Sequence, residues 1–201
     1  MNPSGKPYPV GPGGLSPADF ARWYSDASGA AWSSLDMDAV GRLVAEVLDV
    51  RRRGAAVYVM GNGGSAATSS HIATDLCKTA AVAGKPPIRC VSLADNASFI
   101  TAAGNDIGFA AIFTAQLDGL LREGDLVLMV SGSGNSANLL TAAALAKERG
   151  ARTAALLGFD GGKLKPLVDV PVLVKSEQYG VIEDLHLAVG HIVAFFMHQE
   201  R

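Results

Sequence analysis

Five short apolar runs, each followed by a polar cluster, constrain the fold of this 201-residue chain more than any other feature. The runs are rich in β-branched residues, and in most cases a helical pattern follows the polar cluster. They lie at residues 56–60, 88–93, 126–130, 153–157 and 170–174. Because buried strands that alternate with helices form parallel sheets, the pattern predicts an α/β protein with a mainly parallel sheet.

The segment before the first apolar run predicts a helical extension of a single domain. Residues 1–15 are rich in Pro and Gly and predict a flexible arm, so that the domain covers residues 16–201. Ser16 is a typical helix N-cap, Pro17 suits the first turn, and Asp19 places an acid in that turn.

Three further helix signals lie along the chain. Apolar residues spaced three or four apart predict a second helix over 38–53, ended by Gly54. A long apolar pattern predicts a last helix over about 180–199. Asn105–Asp106 predicts a cap for a helix that begins near Ile107.

Composition excludes several classes of protein. With 49% hydrophobic and 18% charged residues and a net charge of −2, the chain is neither disordered nor basic enough for nucleic acid. Two cysteines exclude a disulfide framework and a Cys-rich zinc module. No signal peptide pattern is present, and a polar loop interrupts the charge-free run 126–146, which argues against a membrane span. We therefore predict a soluble, cytoplasmic protein with no nucleic-acid or membrane partner.

Two glycine- and serine-rich loops follow the first and third runs and are candidates for binding an anion. They are Gly61–Ser65 and Ser131–Ser136. Glycines allow close backbone approach, amide groups at a helix start favour an anion, and serine hydroxyls add donors. Either loop alone is equally compatible with an ordinary strand-to-helix turn.

Of two common nucleotide-binding motifs, one is only partly matched and the other is missing. Residues 61–66 satisfy G-x-G-x-x-A, the dinucleotide fingerprint, which requires an acid about 20 residues further on. Residues 84–90 contain no acid, and Asp95 lies well beyond them. Neither loop carries the Gly-Lys-Ser/Thr of a Walker A motif.

Histidines and carboxylates recur at helical spacing in two places. His71 and Asp75 are four residues apart and share one helix face. On the last helix Glu183 and His191 lie about 80° apart around the axis, close enough for their side chains to converge. Two imidazoles with two carboxylates suit Zn²⁺, and without a metal they suit a base and an acid. A lone histidine on an apolar helix is also compatible with a core residue.

Taken in order, the polar motifs resemble the sugar isomerase (SIS) domain family and, within it, the bacterial phosphoheptose isomerases. The similarity covers roughly residues 36–198. The motifs are GNGGS at 61–65 with His71, GND at 104–106, SGSGNSAN at 131–138 and DGGK at 160–163.

The resemblance implies a fold, an assembly and a reaction. It implies a three-layer α-β-α sandwich around a five-stranded parallel sheet, in homotetramers with active sites at subunit interfaces. It implies interconversion of sedoheptulose 7-phosphate and D-glycero-D-manno-heptose 7-phosphate through an enediolate, commonly with zinc.

The same resemblance implies the site residues. Those that bind the substrate or its phosphate are Asn62, Gly63, Gly64, Ser65, Asp95, Asn96, Ser131, Gly132, Ser133, Ser136 and Glu183. One zinc ion per subunit is held by His71, Asp75, Glu183 and His191. We take Asp75 as the base and His191 as the acid of the isomerisation.

The chain departs from the better-known family pattern in three places. Asp75 occupies a position where the pattern has Glu, and Glu183 occupies one where it has Gln. Thr79 occupies a position where relatives often carry Arg. The Glu183 exchange makes the site more anionic and should favour retention of a divalent cation.

Two alternatives to a heptose isomerase stay open. One is an isomerase of another long-chain phosphosugar, such as an octose phosphate, because chain length is determined by pocket depth. The other is a non-catalytic SIS module that binds phosphosugars or associates with a replication initiator. The retained set of His71, Asp75, Glu183 and His191 favours an enzyme.

Overall fold

The first described element is a helical pair that precedes the sheet. The computed structural model describes residues 10–200, so most of the expected N-terminal arm lies outside the described residues. Helix α1 spans Pro17–Ser33, and the Ser16 hydroxyl accepts a hydrogen bond from the Asp19 amide at 3.2 Å. Helix α2 spans Met37–Arg53 and ends at Gly54, whose φ of 67° is left-handed. These local predictions are confirmed.

The five predicted runs form one parallel sheet. Its strands are β1 (Ala56–Gly61), β2 (Arg89–Ser92), β3 (Leu126–Ser131), β4 (Arg152–Leu157) and β5 (Val170–Leu173). They pair in the order β2-β1-β3-β4-β5, and every pair is parallel. Each predicted run agrees with its strand to within one residue at either end, and the predicted fold class is confirmed.

The helices cover both faces of the sheet. They are α3 (Gly64–Thr74), α4 (Ala97–Asp106), α5 (Thr114–Leu120), α6 (Ala137–Glu148) and α7 (Tyr179–Gln199). Alternate strand residues face opposite layers: Val57 and Val59 pack toward α2, α3 and α7, whereas Tyr58 and Met60 pack toward α5 and α6. The result is the three-layer α-β-α sandwich.

Strand order places a crevice beside the two glycine-rich loops. From β1 the chain crosses to β2 on one side, whereas β3, β4 and β5 follow on the other side. This reversal creates a switch point between β1 and β3, where ligands of open α/β sheets bind beyond the carboxyl ends of the strands. The loops that leave β1 and β3 are the two predicted from composition.

One predicted cap is wrong. Asn105 and Asp106 are the last residues of α4 and do not start a helix at Ile107. The helix begins earlier, at Ala97, and its N-cap is Asn96, whose side-chain oxygen accepts a hydrogen bond from the Phe99 amide at 3.0 Å. An Asn with this geometry satisfies a free amide at the helix start, which fixes the boundary there.

Two segments bear on a possible membrane span. The charge-free run 126–146 contributes β3 and α6, as its interruption predicts. Among the described residues, α7 is long and apolar enough by length and composition to cross a membrane, but half of its apolar window is buried in the domain. Packing against α2 and α3 gives α7 the burial of a core helix.

The buried histidine of α7 should make the fold sensitive to acid. His186 is 0% exposed, and burial lowers its pKa to about 4 from 6.5, an effect that the nearby Leu157 carbonyl only partly opposes. Between these values the unfolded chain takes up a proton that the folded chain does not. We expect its contribution to stability to be complete above pH 6.5 and to fall by about 2 kcal/mol toward about pH 5.

Urea unfolding at about pH 7.5 and about pH 5 measures this effect. His186→Leu should flatten the dependence relative to the parent, while His198→Gln, at an exposed position on the same helix, should keep it. If the free energy of unfolding of His186→Leu falls between the two pH values as much as that of the parent, other groups cause the acid sensitivity.

Candidate active site

Helices α3 and α6 both start at the crevice without a side-chain cap. The N-cap of α3 is Gly63, which has no side chain to offer, and the N-cap of α6 is Ser136, whose hydroxyl makes no capping hydrogen bond. The first amides of a helix have no partner inside the helix and carry its positive dipole end. Two such ends, from adjacent strands, suit a phosphate group.

The loop after β3 is preshaped by its own hydroxyls. The buried Ser131 hydroxyl accepts a hydrogen bond from the Gly134 amide at 3.0 Å, and the Ser133 hydroxyl accepts one from the Asn135 amide at 3.3 Å. Gly132 lies under the Tyr179 ring, where an added Cβ would come within 2.9 Å of a ring carbon. The loop thus holds its conformation before any ligand is present.

A neighbouring turn supports the same loop from the side of β4. The Gly158 amide donates to the Gly132 carbonyl at 2.9 Å, and the Leu164 amide donates to the Gly134 carbonyl at 2.9 Å. The DGGK motif lies in this turn, and its Lys163 amide donates to the Asn135 side chain at 3.2 Å. The motif therefore contacts the loop through its backbone.

The loop after β1 is joined to α6 by a pair of amides. The Asn62 side chain donates to the Asn138 oxygen at 3.0 Å and accepts from the Asn138 nitrogen at 2.9 Å. Ser65, one turn further on, is buried, and its carbonyl accepts a hydrogen bond from the Ser69 hydroxyl at 2.8 Å. The amide pair therefore joins the loop after β1 to the first turn of α6.

His71, Asp75 and His191 converge on one point. The two Nε2 atoms are 3.2 Å apart, and the Asp75 Oδ2 atom lies 3.4 Å from His71 Nε2 and 3.7 Å from His191 Nε2. One ligand atom from each residue lies within 4.8 Å of the others. Three lone-pair donors that face one another without a cation repel, so the arrangement suits a bound metal ion or a shared proton.

The other oxygen of Asp75 is held by Thr79. The Thr79 hydroxyl donates to Asp75 Oδ1 at 2.8 Å. Both residues belong to a π-helical turn, Asp75–Thr79, that continues α3, and the Ala80 amide donates to the Asp75 carbonyl at 2.8 Å. Turns of this kind occur often at functional sites. Two departures from the family pattern, at 75 and 79, therefore contact each other directly.

A glycine allows α3 and α7 to approach at the level of this cluster. An added Cβ at Gly190 would lie 2.6 Å from the Cγ1 atom of Ile72. Gly190 and Ile72 are the chain neighbours of His191 and His71, so the close contact brings the two imidazoles together. Position 190 is thus a determinant of the site.

Glu183, a residue of α7, lies outside this cluster, and its side chain is next to the start of α3. Its carboxylate packs against Gly64, where an added Cβ would be 2.5 Å from Oε2. Burial and the neighbouring Asp184 charge raise the pKa of Glu183. The structure therefore brings together three of the four predicted metal ligands and places the fourth beside the helix start.

Asp95 and Asn96 follow β2, the edge strand that pairs with β1. Asp95 accepts hydrogen bonds from the Ser70 and Ser92 hydroxyls, and the Asn96 side chain caps α4. Both residues line a cavity of about 700 Å³ between α3, β2 and α5. Their roles in substrate binding stay predictions.

Sequence reasoning did not assign a role to Asn138 or relate Thr79 to Asp75. Asn138 belongs to the quoted SGSGNSAN motif, so its place in that motif was the available signal. The π-helical turn that holds Thr79 over Asp75 left no periodic signal in the sequence.

Known proteins of similar sequence belong to the family that the motifs of the two loops resemble. The SIS domain family matches residues 24–158. A phosphoheptose isomerase of Geobacter sulfurreducens is 41% identical over 163 residues, 80% of this chain and 86% of the relative. One from Pelobacter propionicus is 40% identical over 151 residues, 75% of this chain and 79% of the relative.

Solved structures agree with the sequence matches. A phosphoheptose isomerase from Neisseria gonorrhoeae superposes with a TM-score of 0.79 at 31% identity and covers 90% of this chain and 95% of its own. One from Francisella tularensis gives a TM-score of 0.86 at 27% identity, with 92% and 100% covered.

The chain therefore belongs to the SIS-domain family of α/β sugar isomerases. The relatives named above match most of its length and are phosphoheptose isomerases, a kind of phosphosugar isomerase, and the resemblance inferred from the motifs is confirmed.

Proposed function

We propose that this chain is an aldose–ketose isomerase that interconverts sedoheptulose 7-phosphate and D-glycero-D-manno-heptose 7-phosphate. The observation that carries the proposal is the convergence of His71, Asp75 and His191 in a chain whose relatives are phosphoheptose isomerases. The reaction moves a proton between C1 and C2 through an enediolate. It needs a base, an acid and charge stabilisation at oxygen, and the cluster offers groups for each.

The donor set of the cluster fits a zinc ion. Two imidazole nitrogens and a carboxylate oxygen are ligands that Zn²⁺ prefers, and a catalytic site keeps a further position open. His71, Asp75 and His191 would hold the ion, and Glu183, which lies beside Gly64 in this structure, stays a predicted fourth ligand. When bound, zinc would polarise the substrate carbonyl.

We assign the proton transfers to two residues of the cluster. Asp75 Oδ2 would leave the ion during turnover, take the proton from one carbon and return it to the next, while Thr79 holds the other oxygen of the same carboxylate at 2.8 Å. His191 would deliver a proton to the substrate oxygen from the ring nitrogen that does not hold the ion. Both groups are partly exposed, so that a substrate can reach them.

The phosphate would occupy the crevice between β1 and β3. The starts of α3 and α6 offer free amides there, and Ser65, Ser131, Ser133 and Ser136 add hydroxyls. His71 lies seven residues into α3, about 10 Å along the helix from its start. This separation lets the loops bind the phosphate end while the cluster acts on the other end, so that remote contacts orient the reacting carbons.

We also propose a homotetramer that acts in the cytoplasm. Phe195 and Phe196 on α7 are 54% and 48% exposed. The Phe195 ring lies 6.3 Å from the His191 ring, centroid to centroid. A second copy that covered these rings would bury apolar surface and close one side of the site.

Incubation of zinc-loaded protein with sedoheptulose 7-phosphate, followed by NMR, tests the function. We expect the aldose signals to grow and a chelated sample to lose most of this activity, because the ion would polarise the carbonyl. Readdition of zinc to the chelated sample is the control for damage by the chelator.

Other outcomes of that experiment separate the alternatives. Conversion of an octose phosphate but not of the heptose would replace the substrate and keep the reaction. Phosphosugar binding without turnover on any substrate would favour a regulatory SIS module.

A further inference from the structure

The amide pair between Asn62 and Asn138 links the two loops of the proposed phosphate site. Asn62 follows β1, and Asn138 lies in the first turn of α6, after the loop that leaves β3. The two strands are neighbours, with Gly61 paired to Val130. The pair therefore joins the starts of two helices across the switch point.

The pair is specific for two amides. Each side chain donates one hydrogen bond and accepts one, at 3.0 Å and 2.9 Å. A carboxylate cannot donate and a hydroxyl cannot span the gap, so neither could complete both bonds. Asn138 is 1% exposed, so its polar atoms cannot turn to water if the partner is lost.

We propose that Asn138 is a positioning residue that acts through Asn62 to fix the spacing of the two loops for the phosphate group. This inference rests on the proposed function, because it assigns the phosphate to the same crevice. Asn138 is buried behind the loop, and its amide is committed to Asn62, so it acts on the ligand indirectly. Its loss should weaken phosphate binding and leave the His71, Asp75 and His191 cluster unchanged.

A double-mutant cycle tests the coupling. We expect Asn138→Ala to raise KM about tenfold with a smaller change in kcat, and Asn62→Ala to act in the same direction. If Asn138 acts through Asn62, the double variant should show little more than the larger single effect. Additive effects, or a loss of kcat at unchanged KM, would overturn the proposal.

Binding of inorganic phosphate, measured by calorimetry, gives a readout that does not need turnover. Weaker phosphate binding in Asn138→Ala, with an unchanged zinc content, supports the proposal even if the heptose is not the substrate. Unchanged phosphate binding overturns it, whereas failure of the isomerase assay alone overturns only the proposed function.

Two further variants serve as a substitute for the alanine variant and as a control. Asn138→Leu keeps the branched shape and the number of side-chain heavy atoms and removes both hydrogen bonds, so it replaces the alanine variant if that chain does not fold. Thr141→Ala is the matched control, because the Thr141 hydroxyl donates to the Ala110 carbonyl at 2.7 Å and to the main-chain carbonyl of Asn138 at 3.0 Å, but not to the Asn138 side chain. It should leave KM and phosphate binding as in the parent, and an equal effect there would reduce Asn138 to a general role in stability.

Discussion

Replacement of His191 by Gln should lower turnover by about 10² to 10⁴-fold while the domain stays folded. The imidazole faces His71 Nε2 at 3.2 Å and Asp75 Oδ2 at 3.7 Å, where it serves as proposed acid and metal ligand. A glutamine amide keeps much of the volume but cannot deliver a proton. His191 is partly exposed, so its loss leaves the core intact.

The assay combines rate, metal content and folding. We expect kcat to collapse and the zinc content to fall, with the same far-UV spectrum and only a small change in melting temperature. His198→Gln is the matched control, since it makes the same exchange on the same helix. His198 contacts the Thr79 carbonyl at 2.9 Å, and a glutamine amide can donate to that carbonyl as well. Turnover of His191→Gln within a few-fold of the parent would remove this residue from the mechanism.

The sheet was predictable because its signals are local. The central strands β1 and β3 are short apolar runs that are buried on both faces in a parallel sheet, so composition alone marked them. The loops after β1 and β3 were predictable for the same reason, since Gly and Ser follow those runs directly. The order of the strands brings both loops to the switch point, and local sequence signals do not determine that order.

The details of the site depend on contacts between distant residues. Asn62 and Asn138 are 76 positions apart, and His71 and His191 are 120 positions apart. Spacing along a helix related His71 to Asp75, but the turn that joins Asp75 to Thr79 has a wider hydrogen-bond pattern than an α-helix. The position of Glu183 was not predictable either, because its contact with Gly64 depends on how α7 packs on α3.

The loop after β3 has almost no room for a side chain at Gly134. Its φ is 63°, in the left-handed region that favours glycine. An added Cβ would lie 2.0 Å from the Gly161 carbonyl oxygen, a backbone atom that cannot move aside alone. The Gly134 amide also donates to Ser131, and its carbonyl accepts from Leu164. Gly134 therefore links the loop of the proposed phosphate site to the turn after β4.

Gly134→Ala should consequently raise KM by at least about tenfold and lower the free energy of unfolding by about 2 kcal/mol. The clash must push the 158–163 turn away or flatten the loop, and either change separates the serine hydroxyls from the amides of α6. Steady-state kinetics and urea unfolding measure the two effects. Gly41→Ala is the control, because a Cβ on that exposed turn of α2 meets nothing within 4 Å and should stabilise the helix slightly. Near-parental kinetics in Gly134→Ala would show that substrate binding does not depend on the shape of this loop.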